Sequence, residues 1–187
     1  MQAVETRVFE GEVVARRTSV DEYDRLIAEG FFRDERVELI HGIVVRMSPI
    51  GPTHEEVVDR LGRQLMAALG ARARVRIQNS FAANDGSAPQ PDIAVVEERS
   101  YAGGRPSKAF LLVEVADSSL AVDRGTKGPL YAASGVAEYW IVDVASKAIE
   151  VHSAPVDGRY SHVERVTTLV SPAAFADVVV TVASLFD

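Results

Sequence analysis

Pro91-Asp92-Ile93-Ala94-Val95-Val96, then Phe110-Leu111-Leu112-Val113-Glu114-Val115, then Asp123 to Lys127, then Glu138-Tyr139-Trp140-Ile141-Val142-Asp143: this succession decides the architecture. Two apolar runs rich in β-branched residues each carry one carboxylate, a segment with basic residues follows, and a further apolar run closes the unit. Strand, strand, helix, strand is the order this pattern predicts. Asp92 opens the first strand and Glu114 lies within the second, so both carboxylates are expected to be partly withdrawn from water. That is costly unless a cation balances them. Mg²⁺ is held by one or two carboxylates, waters and substrate phosphate oxygens, so two acids on neighbouring strands suffice for it. Lys127 is then available to add positive charge near a phosphate or to help deprotonate an attacking water. The plain alternative is a structural ion pair between Glu114 and Lys127 with Asp92 capping a turn. Spacing alone leaves both readings open.

Upstream, Ser19-Val20-Asp21-Glu22 has the pattern of a capping box, and Val20, Tyr23, Leu26 and Ile27 recur at helical spacing until Gly30. Arg36 to Ile40 and Ile43 to Met47, separated by His41-Gly42, read as a β-hairpin. Glu38 alternates with Val37 and Leu39, which on pattern alone makes it a solvated, outward carboxylate. Thr53 to Glu56 resembles a second capping box, followed by a stripe of Val57, Val58, Leu61, Leu65 and Leu69. His54 lies on that stripe, where a lone histidine is ordinarily a hydrogen-bonded core residue. Arg72, Arg74 and Arg76 alternate with Ala73, Val75 and Ile77, so a strand there would project three guanidinium groups from one face. Such a row suits a phosphate backbone and equally suits a plain solvated face. Gln78 and Gln90 are polar residues near the expected site. Ala83 to Gln90 reads as a loop delivering the chain to Asp92.

Downstream, Tyr101 to Lys108 reads as a loop, and its Gly-Gly-Arg-Pro-Ser-Lys string is no phosphate-cradling loop because the lysine precedes a strand. Asp123 to Ser134 reads as helix, with regular turns from near Thr126 so that Pro129 falls in the first turn, Tyr131 one turn beyond Lys127, and Gly135 as the stop. Ala148 to His152 and Tyr160 to Leu169 are expected to be antiparallel strands about Asp157-Gly158. Val178 to Val182 is a last strand, and Leu185-Phe186 is expected to dock on the core.

With 187 residues, 47% of them hydrophobic, and no repeat or low-complexity stretch, one domain over 1–187 is expected, with 1–17 peripheral or flexible. The class is α/β (α+β), a mixed sheet flanked by helices. The absence of cysteine removes disulfides, thiol catalysis and cysteine-ligated metal centres. No basic and apolar leader and no membrane-length apolar run occur, which fits a cytoplasmic location. The net charge of −7 counts against binding to nucleic acid, although a metal-holding acidic pocket adds negative charge of its own. There is no Gly-x-Ser-x-Gly elbow, no His-Glu-x-x-His helix and no dinucleotide turn, and His41, His54, His152 and His162 show no zinc-ligand spacing.

Pro91-Asp92, Glu114-Val115, Lys127 with Tyr131-Ala132, and Gly135-Val136 running into Glu138 to Asp143 resemble the bacterial Uma family of predicted restriction endonucleases, within the PD-(D/E)XK nuclease superfamily. Val37 to Gly42, Met47-Ser48-Pro49 and His54 extend the resemblance over nearly the whole chain. The superfamily's Glu-x-Lys would place lysine at 116, where this chain has Ala116; the resemblance implies that Lys127, on the following helix, takes that role. It further implies a restriction-endonuclease-like core, a Mg²⁺ cofactor with Mn²⁺ as a substitute, Asp92 and Glu114 as metal ligands with Glu38 assisting, DNA as the partner, and a 5′-phosphate product. It favours site roles for His54 and for Tyr131, which lies within the resembling strings, while Gln78 and Gln90, polar and near the expected site, could orient water or touch substrate. A homodimer is expected because cutting both strands needs two sites. Two other functions stay open: a catalytically silent nucleic-acid or protein-binding module, and a metal-dependent phosphohydrolase acting on small phosphate esters.

Overall fold

The structure, a computed structural model, describes residues 16–187. The expected peripheral segment 1–17 therefore lies outside the described residues except for Arg16 and Arg17. Its central feature is a six-stranded mixed sheet in the order β3-β4-β5-β6-β7-β8. The strands are β3 (Arg74–Ile77), β4 (Ile93–Val96), β5 (Leu111–Ala116), β6 (Glu138–Asp143), β7 (Ala148–Val156) and β8 (Arg159–Val166). All neighbours are antiparallel except β5 and β6. A parallel pair needs a crossover, and the helical stretch between them supplies it.

β4, β5 and β6 are buried on both faces, which explains their near-continuous apolar runs. One face, with Ile93, Val95, Val113, Val115, Trp140 and Val142, packs on the stripe Val57, Val58, Leu61, Leu65 and Leu69 of α2 (Pro52–Leu69) and on Leu185. The other, with Ala94, Val96, Leu112, Ala116, Tyr139 and Ile141, packs on Leu130 and Tyr131 of the crossover and on Phe81. Asp92 and Glu114 continue this second row by the two-residue alternation of a strand.

The hairpin β1 (Val37–Ile40) with β2 (Ile43–Arg46) is a separate two-stranded sheet. Its turn has φ of +50° at His41 and +75° at Gly42, the two positive values a tight two-residue turn requires. It is docked by backbone bonds between Leu39 and Ala88 and by a small core in which Tyr23 of α1 (Val20–Ala28) meets Val37 and Leu39. Ser19 caps α1 by accepting from the Glu22 N–H at 3.2 Å, as the capping pattern predicts, while the Glu22 carboxylate turns to Arg16. The β7–β8 hairpin turns at Asp157 and Gly158, both at positive φ.

Several local expectations are corrected. Helix α2 begins at Pro52 with Gly51 as its cap and no side-chain bond, so Thr53 lies inside the helix instead of capping it. Proline at the first position needs no N–H partner and has φ preset for the helix, which fixes the start two residues earlier than a cap at Thr53 would. Arg72 lies in a 3₁₀ turn, Gly70–Arg72, outside β3. The helix expected near Thr126 starts at Leu120: α3 (Leu120–Val122) continues through a π-helical stretch, Asp123–Lys127, into α4 (Gly128–Ala133). The wider turn lets the Gly128 N–H reach the Asp123 carbonyl, just ahead of Pro129, which has no N–H to offer. β8 ends at Val166, and Leu169–Val170 (β9) pairs instead with Val180–Thr181 (β10), all that remains of the expected last strand.

Candidate active site

The register that pairs Ile93 with Val113 sets Asp92 opposite Glu114 on neighbouring strands, as the strand parse predicts. Both are buried, with exposures of 6% and 4%, at the floor of a cleft of about 200 Å³. Helix α2 contributes His54, whose Nε2 lies 3.0 Å from Asp92 Oδ2. The Val115 N–H donates to the same oxygen at 2.9 Å, and Gln78 Nε2 donates to Oδ1 at 3.2 Å. Burial pushes the Asp92 carboxyl up, but these bonds outweigh it and hold the group below the usual aspartate value.

The crossover supplies the cation. Lys127 Nζ lies 3.0 Å from Glu114 Oε1 and 3.3 Å from Glu38 Oε2. Glu38 is 5% exposed, which removes the solvated alternative that pattern alone favoured: docking of β1 against the loop before β4 turns its outward face into the cleft wall. The Gln90 N–H donates to Glu38 Oε2 at 3.1 Å, and Tyr131 donates to Glu114 Oε1 at 2.7 Å. Burial pushes Glu114 well above the ordinary glutamate value, and Asp92, Asp123 and Glu38 add to this against the opposing effect of Lys127. Burial would lower Lys127, but Glu114, Glu38 and Asp123 raise it, so it stays an ammonium.

Eight predicted site residues thus meet in one place: Asp92, Glu114, Lys127, Glu38, His54, Gln78, Gln90 and Tyr131. The ion pair between Glu114 and Lys127 is present too, and it belongs to the same cluster. Arg72, Arg74 and Arg76 do not line the cleft. Arg72 pairs with Asp177 at 2.8 Å and Arg74 with Glu98 at 2.7 Å, while Arg76 stacks on Tyr101 and bonds Asn79.

Sequence reasoning missed Asp123, which is 2% exposed, lines the cleft and bonds Ser119. Burial raises its carboxyl above the ordinary value. The available signal was its position four residues before Lys127, the spacing that sets two side chains on one helical face.

Among the described residues, no three His, Asp or Glu side chains converge closely enough to share one metal ion. Lys127 bridges two of the carboxylates, and His54 and Val115 take the third. The donor set nonetheless suits a hard cation: four buried carboxylates, Glu38, Asp92, Glu114 and Asp123, line the cleft with one lysine. Carboxylate oxygen is the ligand Mg²⁺ prefers.

No described helix is long and apolar enough to cross a membrane. The family model described as "Uma2: Putative restriction endonuclease" matches residues 20–183. The fold is similar to that of a crystal structure titled as a putative nuclease of the DUF820 family from Anabaena variabilis, with a TM-score of 0.69 and 18% identity over 90% of this chain and 97% of that one. No curated protein matches the chain.

Proposed function

Because this chain belongs to the Uma2 family, we propose that its acidic cleft hydrolyses phosphodiester bonds of DNA as an endonuclease dependent on Mg²⁺, with Mn²⁺ as a substitute. The observation that carries this reading is the facing pair Asp92 and Glu114 with Lys127 3.0 Å from the second. A bound divalent ion supplies a Lewis acid for the phosphate oxygens and a water of lowered pKa. Asp92 and Glu114 would hold that ion, with Glu38 assisting through water. His54, Gln78 and the Val115 N–H keep Asp92 ionised and aimed, and Tyr131 fixes one oxygen of Glu114. Lys127 carries the positive charge that would stabilise negative charge building on the phosphate. Cutting both strands calls for two such sites, for which a two-fold dimer is the simplest assembly.

The test is cleavage of supercoiled plasmid with Mg²⁺ or Mn²⁺ by the wild type beside Asp92→Ala, Glu114→Ala and Lys127→Ala. Metal-dependent nicking lost in all three variants supports the reading. A wild type that is stabilised by metal but leaves plasmid intact redirects it to small phosphate esters, which the roughly 200 Å³ cleft and the net charge of −7 also suit. A wild type that binds no metal removes the site.

A further inference from the structure

Val75 and Ile77 of β3 pack into the core beneath α2, so Arg74 and Arg76 share the opposite face, and the next position in that row is Gln78. Gln78 closes the row on the carboxylate of Asp92. The row thus leads away from the acidic cleft along an edge strand of the main sheet. At about 3.4 Å per residue, Arg76 and Arg74 stand roughly 7 and 14 Å from Gln78.

The loop after β4 extends this row. Tyr101 sets its ring 5.0 Å from the guanidinium carbon of Arg76 and 4.7 Å from that of Arg99. Its hydroxyl donates to the Glu97 carbonyl at 3.1 Å, which holds the ring in place. Arg99, Tyr101, Lys108 and Phe110 then line a groove of about 940 Å³, larger than the cleft itself.

The charges here are in surplus and only partly matched. Arg74 has Glu98, whereas Arg99 lies 3.6 Å from Glu97, too far for a good hydrogen bond. Arg76 pairs with no carboxylate among the described residues, and its Nε is buried without a partner. Lys108 is exposed and has no ion pair among the described residues. Four cations against two carboxylates form a positive surface on a chain of net charge −7.

We propose that this row and groove bind the phosphodiester backbone of nucleic acid away from the scissile bond. Its orientation toward the cleft rests on the nuclease reading above. Tyr101 holds two guanidinium groups in alignment, so less side-chain freedom is lost when phosphate is bound. The arrangement supplies sequence-independent affinity that the acidic cleft lacks.

The test is fluorescence anisotropy of a labelled duplex and of its single strand, in EDTA so that nothing is cut, over a salt series. For Arg99→Ala/Lys108→Ala we expect binding about tenfold weaker and a salt slope reduced by roughly 1.8 on duplex or 1.4 on single strand, two phosphate contacts in either case. Glu97→Gln, which removes a competing carboxylate, should bind more tightly. These side chains are exposed, so an unchanged melting temperature shows that the variants fold. Unchanged affinity and slope in the double variant, or no binding of either probe by the wild type, overturns the proposal. A wild type that cuts plasmid while the double variant cuts with an unchanged KM removes the groove and leaves the nuclease reading standing. Groove-dependent binding by a protein that cuts nothing does the reverse.

Discussion

Asp92 and Glu114 face each other across β4 and β5, yet their carboxyls are pushed in opposite directions. Asp92 has donors on both oxygens, and Glu114 has burial and three neighbouring carboxylates against a single lysine.

The Glu114 shift predicts a pH dependence of stability. A carboxyl raised in the fold binds its proton more tightly there than in the unfolded chain. Its contribution is complete below about 4.5, the ordinary glutamate value, and is lost as pH rises through the raised value. Acidification from neutrality toward 4.5 should therefore stabilise the metal-free wild type, with Asp123 acting in the same sense. Asp92 acts lower: its contribution is present above 3.8 and lost as pH falls through its depressed value. Urea unfolding at a series of pH values should give a flatter slope for Glu114→Gln. An identical slope would show that Glu114 is not the source.

Removing Lys127 leaves Glu38 and Glu114 without their shared cation. We expect Lys127→Met to cost about 3–5 kcal/mol. Mg²⁺ or Mn²⁺ should restore more stability to this variant than it adds to the wild type, and Lys127→Met/Glu114→Gln should recover part of the loss. Thermal unfolding with and without metal measures both effects. A metal increment equal to that of the wild type would contradict the shared-charge account.

His54→Ala deletes one of the donors that hold Asp92. Loss of a charge-assisted bond should lower stability by about 1.5–3 kcal/mol. If Asp92 is a ligand, metal affinity should fall about 10–100-fold, as for other residues that orient a ligand. Calorimetric titration of the folded variant reads this directly, and an undiminished affinity would detach His54 from the metal site.

Helix α2 lies close to β3 at Gly62, where an added Cβ would come within 3.0 Å of Ile77 Cδ1. Alanine can be accommodated by a small turn of the Ile77 side chain that moves its Cδ1, and its helix propensity offsets the contact. Gly62→Leu cannot, and should cost about 1–3 kcal/mol in chemical denaturation, while Gly62→Ala stays near the wild type.

Much of the fold is written locally. The stripe of α2, the cap at Ser19, the two turns at His41-Gly42 and Asp157-Gly158, and the order of β4, β5, helix and β6 depend on side-chain period and backbone preference over a few residues, which a single sequence displays. The facing of Asp92 and Glu114 follows from that strand order. Tertiary structure alone decided the rest. Glu38 and Lys127 are far apart in the chain, and nothing local indicates that β1 would dock beside the crossover and bury both. The same holds for Arg72, Arg74 and Arg76, whose partners Asp177, Glu98 and Tyr101 come from other segments and leave an expected open stripe only partly matched in charge. Burial and charge pairing are properties of residues that meet in space, and periodicity along the chain carries no record of those meetings.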